Sequence, residues 1–303
     1  MNKIKLGNIL EVPQVALGMM RIKNMSKIEV EALVDTAMEL GINFFEHADI
    51  YGGNHHCEEV FRQVVTPSLR EKILIQTKCG ITNGMLDFSK EHIVSSVDQS
   101  LKSLGVEYLD VLALHRPDAL VEPEVVAEAF DELEAQGKVR HFGVSNHTAM
   151  QIALLQKYVK QPLIVNQMQM SIMHTPMIDA GLHANMMVDD AINRDGAVLD
   201  YCRLHDINIQ AWSPFQYGFF SGVFIDHDEF PELNKVMQVI ADRYGVTKTA
   251  VAVAFLNRHP AKIQTIVGTT NLERLHQIAS STDFKLSRAE WYDLYKAAGN
   301  TIP

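Results

Sequence analysis

Short apolar runs alternate along the chain with longer stretches in which apolar residues recur every three to four positions. The runs lie at 15–17, 42–45, 73–77, 108–114, 141–144, 163–165, 207–211 and 265–267 and are rich in β-branched residues. Runs of that length without polar alternation read as strands buried on both faces, the signature of a parallel sheet. The stretches between them read as amphipathic helices. Ile28, Leu33, Val34, Ala37, Met38 and Leu40 form one stripe, opened by Ser26 as N-cap and ended by Gly41. Ile93, Val94, Val97, Leu101 and Leu104 form another between Ser89 and Gly105. Val125, Val126, Ala129, Phe130 and Leu133 form a third between Pro123 and Gly137, and the period continues over 150–158, 198–204, 233–244 and 272–279.

Eight strand–helix units predict an α/β fold, a (β/α)8 TIM barrel, ahead of a doubly wound open sheet. No Pro/Gly/Ser-rich linker divides the chain, so residues 1–303 read as a single domain. Residues 3–12 fall outside the eight units and read as an N-terminal hairpin closing the bottom of the barrel. Residues 287–298, with Trp291, Leu294 and Tyr295, read as an extra C-terminal helix. Two long connections, 174–195 and 217–231, follow strands. In a barrel both overhang the C-terminal face, and they read as substrate lids.

Composition narrows the function. The 303 residues are 47% hydrophobic and 21% charged, a globular composition. The net charge of −10 argues against nucleic acid and anionic membrane as partners, since both require a positive footprint. Cys57, Cys79 and Cys202 are odd in number and widely spaced, which points away from a disulfide framework. The N-terminus lacks the apolar core of a signal peptide, and no apolar run is long enough to span a membrane, so a cytoplasmic location is expected. No G-x-G occurs, so the dinucleotide fingerprint is missing, as are the P-loop, the G-x-S-x-G elbow and H-E-x-x-H. His55-His56-Cys57 reads as a polar helix start ahead of Glu58 and Glu59 rather than a metal site. Cys79 reads as a buried thiol near the site. Met168, Met170, Met173, Met186 and Met187 suit either an adaptable apolar surface or ordinary core.

Chemistry concentrates at three strand ends. One run ends in Glu46-His47-Ala48-Asp49-Ile50-Tyr51-Gly52-Gly53, the next carries Lys78, and the third is followed by His115. A parallel barrel brings these ends to one face. A tyrosine is a poor acid at neutral pH; an adjacent ammonium lowers its pKa, a carboxylate holds the ammonium, and a histidine orients a carbonyl oxygen. Such a set suits protonation of an alkoxide as hydride arrives.

The chain resembles the aldo-keto reductases, and within them the bacterial YdhF-like oxidoreductases. The matching stretches are ALGMM (16–20), FFEHADIYGG (44–53), ILIQTKCG (73–80), LALHRPD (112–118) with GKVRHFGVSNHT (137–148), and NIQAWSPF (208–215) with IVGTTNLERL (266–275). The resemblance implies an NADPH-dependent reductase of aldehydes or ketones, with NADH less favoured and a small-molecule carbonyl substrate. It implies Tyr51 as proton donor, Lys78 as its partner and His115 as the carbonyl-orienting residue. The family places an aspartate five residues before the tyrosine; here Glu46 stands there, so the Lys78 pair either survives with a shifted geometry or weakens. For the cofactor it implies Ser145, Asn146 and Gln167 at the carboxamide and Trp212 under the nicotinamide ring. Ser213, Pro214 and Phe215 fall at the pyrophosphate, and Gly268, Thr269, Thr270 and Arg274 at the 2′-phosphate. Gly18, Met19 and Met20 fall beside the nicotinamide end. Relatives commonly carry lysine at the place of Gly268. No metal is implied, and a monomer is the family-like state. The competing readings are a cofactor-binding sensor of the same fold, suggested by Glu46, and a metal-dependent barrel hydrolase.

Overall fold

The computed structural model describes residues 1–82, 85–192 and 196–300. Eight strands form the barrel: β1 (Val15–Gly18), β2 (Phe44–Glu46), β3 (Leu74–Cys79), β4 (Leu109–Leu114), β5 (Val139–Ser145), β6 (Leu163–Gln169), β7 (Asn208–Trp212) and β8 (Gln264–Val267). They pair in parallel in chain order, and β8 pairs with β1, so no edge remains. Each coincides with one of the eight apolar runs.

The helices sit outside and begin and end where the sequence marks them. Ser26 accepts from the Glu29 amide while the Glu29 carboxylate accepts from the Ser26 amide, closing a capping box on helix Lys27–Glu39. Helix Lys90–Leu104 starts at Ser89 and stops at Gly105, which has φ 68°. Helix Lys248–Asn257 escapes the periodicity because Thr249 to Leu256 are all buried; a helix with no polar face has no stripe. The short helix His56–Arg62 and the small hairpin of Ile81–Thr82 with Met85–Leu86 also carry too few residues for a period to register.

The barrel interior changes character from bottom to top. The antiparallel strands Lys3–Leu6 and Leu10–Pro13 bring Leu6 and Val12 against Ala16, Phe44, Val111, Ile164 and Ile266, which seals the bottom as expected. Above this plug lie three fully buried glutamines. Gln76 Nε2 donates to Gln210 Oε1 at 2.8 Å, Gln210 Nε2 to Gln264 Oε1 at 2.9 Å, and Gln264 Nε2 to the Pro13 carbonyl at 2.9 Å. The expectation of strands apolar on both faces therefore holds at the bottom and fails above it, and the outward faces also carry a few buried polar groups, such as Thr77, which donates to Glu58. Buried amides are tolerated there because they satisfy one another.

Helix Arg288–Ala297 is the expected C-terminal addition. Trp291 stacks on Phe255 at 4.7 Å and donates Nε1 to its carbonyl at 3.0 Å. Tyr295 donates to Asp179 on helix Pro176–Leu182, tying the C-terminal helix to the 174–195 connection. The end of that connection, 193–195, lies outside the described residues. Among the described residues, no helix is long and apolar enough to cross a membrane.

Candidate active site

The site forms where β2, β3 and β4 end. Beyond β2 the backbone stays tethered to its neighbour: the His47 amide donates to the Gln76 carbonyl at 2.7 Å and the Asp49 amide to the Lys78 carbonyl at 3.0 Å. The chain then turns at Gly52 and Gly53, with φ 74° and 91°. A Cβ on Gly52 would lie 2.9 Å from Cys57 Sγ, so this turn requires glycine. The turn leaves Tyr51 pointing over the strand ends.

Lys78 is fully buried. Its Nζ donates to Tyr51 Oη at 2.9 Å, to the His47 carbonyl at 2.9 Å and to the Glu46 carboxylate. Three donors meet three acceptors, which is how a buried ammonium is retained. The Glu46–Lys78 pair therefore survives the extra methylene. The longer side chain also reaches further: Tyr51 donates its proton to Glu46 Oε1 at 3.0 Å, and Gln167 Nε2 donates to the same oxygen at 3.3 Å. The Tyr51 and His115 rings meet edge to face at 6.3 Å.

These contacts set the protonation states. Burial and then the Glu46 carboxylate push the Tyr51 phenol well above its ordinary value. That reverses the lowering expected from the ammonium alone, because burial disfavours the phenolate and Glu46 binds the neutral phenol through its proton. Burial pulls Lys78 down, while Glu46 acts against that shift. Burial, helped by the Lys78 and Arg116 charges, brings His115 down to about 2, so its imidazole is neutral.

A cavity of about 620 Å³ opens over this cluster. Glu46, Tyr51, His115, Gly18, Met20, Ser145, Asn146, Gln167, Trp212, Ser213, Pro214, Phe215, Gly268, Thr269, Thr270 and Arg274 all line it. A polar chain runs along one wall: Ser145 Oγ donates to the Gln167 carbonyl at 2.9 Å, Asn146 Nδ2 to Ser145 Oγ at 2.8 Å, and Trp212 Nε1 to Asn146 Oδ1 at 3.3 Å. Met19 is the exception among the expected lining residues. It is fully buried in the main core and turned away from the cavity.

Sequence reading missed several lining residues. Arg21 bonds Nη1 to the Gly268 carbonyl at 2.9 Å, and a Cβ at Gly268 would lie 2.9 Å from that nitrogen. An arginine from the first strand's loop thus fills the space beside the glycine. Arg116 lines the wall next to His115; a charged residue directly after a strand-end histidine was the available signal. Phe219, Phe220 and Val223 bring the 217–231 connection over Trp212, with Phe220 stacked on its ring at 6.2 Å. The 174–195 connection, read as a lid, contributes no lining residue among those described: its helix Pro176–Leu182 lies against helix Val198–Leu204 and is tied to the C-terminal helix by the Tyr295–Asp179 hydrogen bond. None of the five singled-out methionines lines the cavity; Met170 is core, and Met187 is fully exposed.

Comparison with known proteins follows this geometry. A family model described as the Aldo/keto reductase family matches residues 14–298. A 6-dehydroglucose reductase of Agrobacterium fabrum is 35% identical, with 98% of each chain covered. Oxidoreductase YdhF of Escherichia coli is 32% identical over 97% of this chain and 96% of its own. In three dimensions, an aldo/keto reductase from Klebsiella pneumoniae, solved with NADP and acetate, superposes with a TM-score of 0.78 at 21% identity, covering 97% of this chain and 94% of that one.

Proposed function

The chain belongs to the aldo/keto reductase family and is an NAD(P)H-dependent carbonyl reductase, and from that premise we propose that it reduces an aldehyde or ketone to the alcohol with NADPH, with Tyr51 as the proton donor. The observation that carries this reading is the buried Lys78 ammonium 2.9 Å from the Tyr51 oxygen, beside a neutral His115 and at the floor of a cavity.

The residues present fit the dinucleotide. The cavity runs from the Tyr51 cluster to the N-terminus of helix Leu272–Ala279, where Thr270 and Arg274 offer a hydroxyl and a guanidinium to phosphate. Gly268 leaves room that Arg21 fills with a second cation. Trp212 presents its ring, and Ser145, Asn146 and Gln167 present amide-binding groups at the other end. A bound nicotinamide supplies the hydride.

The chain's own groups do the rest. His115, neutral, orients the carbonyl oxygen toward Tyr51. The Tyr51 proton passes to that oxygen. Lys78 remains hydrogen-bonded to the phenolate left behind and stabilises it, and Glu46 with the His47 carbonyl keeps Lys78 in place. Glu46 keeps its contact with Lys78, which favours a working reductase over a sensor without turnover. We read residues 1–303 as one catalytic unit acting as a monomer in the cytoplasm.

The test is NADPH consumption with a panel of aldehydes. Tyr51→Phe should lower kcat at least about a hundredfold, the worth of a positioned general acid. Equal rates for wild type and variant would remove Tyr51 from the role.

A further inference from the structure

Among the described residues, four charged side chains line the cavity: Arg21, Glu46, Arg116 and Arg274. Three have an evident use. Glu46 is held by Lys78. Arg21 and Arg274 follow β1 and β8, adjacent strands, and face the end read above as the phosphate side. Arg116 stands apart. It follows β4, and β4 lies across the closed barrel from β8, four strands away in either direction. It therefore flanks the Tyr51–His115 end, where the carbonyl is handled.

Among the described residues, nothing answers its charge. Arg116 is half-buried, and no hydrogen bond, ion pair or ring contact engages it among the described residues. The carboxylate nearest in sequence, Asp118, spends one oxygen on the Phe88 amide at 3.0 Å and the other on the Leu120 amide at 2.8 Å. A guanidinium moved partly out of water without a partner costs stability. In a protein of net charge −10 that cation is no part of a general basic surface.

We propose that Arg116 binds a carboxylate carried by the carbonyl substrate, so that the preferred substrates are oxo acids. The inference rests on the reading of the chain as a carbonyl reductase and names its substrate class. The planar guanidinium offers a pair of parallel donors that match a carboxylate in two hydrogen bonds. Anchored there, the substrate has its carbonyl end left to reach Tyr51 and His115.

The experiment compares 4-carboxybenzaldehyde with its neutral methyl ester, methyl 4-formylbenzoate, in wild type, Arg116→Met and Arg116→Lys. The carboxylate-to-ester ratio of kcat/KM should fall about ten- to a hundredfold in Arg116→Met, the value of a charge-assisted hydrogen bond, and recover in part in Arg116→Lys. In wild type, added salt should raise KM for the acid more than for the ester. Calorimetry of 4-(hydroxymethyl)benzoate with the NADPH-loaded protein, a pair between which no hydride can pass, gives a readout independent of turnover: binding should weaken by a similar factor in Arg116→Met. An unchanged ratio together with unchanged binding overturns the proposal. Absence of reduction with Arg116-dependent binding intact would overturn the reductase reading instead. If the variants do not fold, the wild-type salt response decides, and equal responses of acid and ester overturn the proposal.

Discussion

One methylene at position 46 reshapes the proton chemistry. Glu46 Oε1 accepts from Lys78, from Tyr51 at 3.0 Å and from Gln167 at 3.3 Å. Its other oxygen lies 2.9 Å from where a Cβ on Gly18 would stand, so the glycine makes room for the longer acid. Burial first, and this carboxylate after it, hold the phenol protonated well above its ordinary value. The protonated phenol is the active form for reduction, so kcat/KM should stay level through neutral pH and decline only above pH 10. Glu46→Asp withdraws the oxygen from the phenol while keeping charge beside Lys78. Its alkaline limb should move down, and an unmoved limb would mean that Glu46 does not hold the Tyr51 proton. The identity of Glu46, Tyr51, Lys78 and His115 was legible in the sequence. The direction of the Tyr51 shift was not, because it depends on how far a side chain reaches across the barrel.

At the scale of elements, the strands that carry the site are pressed together where side chains are smallest. A Cβ on Gly143 of β5 would lie 2.3 Å from Val165 Cγ2 and 2.9 Å from the Val165 carbonyl of β6. Backbone and a branched side chain cannot both retreat, so Gly143→Ala should part β5 from β6. It should cost about 1–3 kcal/mol in denaturant unfolding and disturb Ser145 and Gln167, which these strands carry; an unshifted midpoint would show that the pair has slack. All eight barrel strands were readable as apolar runs between polar flanks, and the amphipathic helices by their apolar stripes. Helix Lys248–Asn257 was not, since burial on every side erases the contrast that the eye follows. The role of the 174–195 connection was misread for a related reason. Its length predicts a lid, but only the tertiary structure shows that it lies away from the cavity lining, with Asp179 bonded to Tyr295 of the C-terminal helix.

For the molecule as a whole, buried histidines tie stability to pH. Burial holds His47 and His147 at about 4, against an ordinary 6.5. The unfolded chain therefore takes up protons between pH 6.5 and 4 that the folded one refuses. Their contribution is complete above 6.5 and is lost as pH falls toward 4, on the order of 3 kcal/mol each. Asp49, pushed up by burial, acts in the opposite sense but is a single group. The melting temperature should fall steadily as pH drops from 7 to 5, and a flat profile would contradict the buried neutral state of these rings.

The sequence by itself determined the barrel, its hairpin, its C-terminal helix and the four residues at the strand ends. Strand–helix alternation follows from local patterning, its count of eight favours a barrel that the pairing of β8 with β1 closes, and a parallel barrel necessarily gathers its strand ends on one face. The tertiary structure alone decided which neighbour each of those side chains meets. It turned Met19 into core, put Arg21 in the space beside Gly268, and left Arg116 across the barrel with its charge unanswered. Those outcomes depend on residues far apart in the chain coming within a few ångströms, and no local period records such meetings.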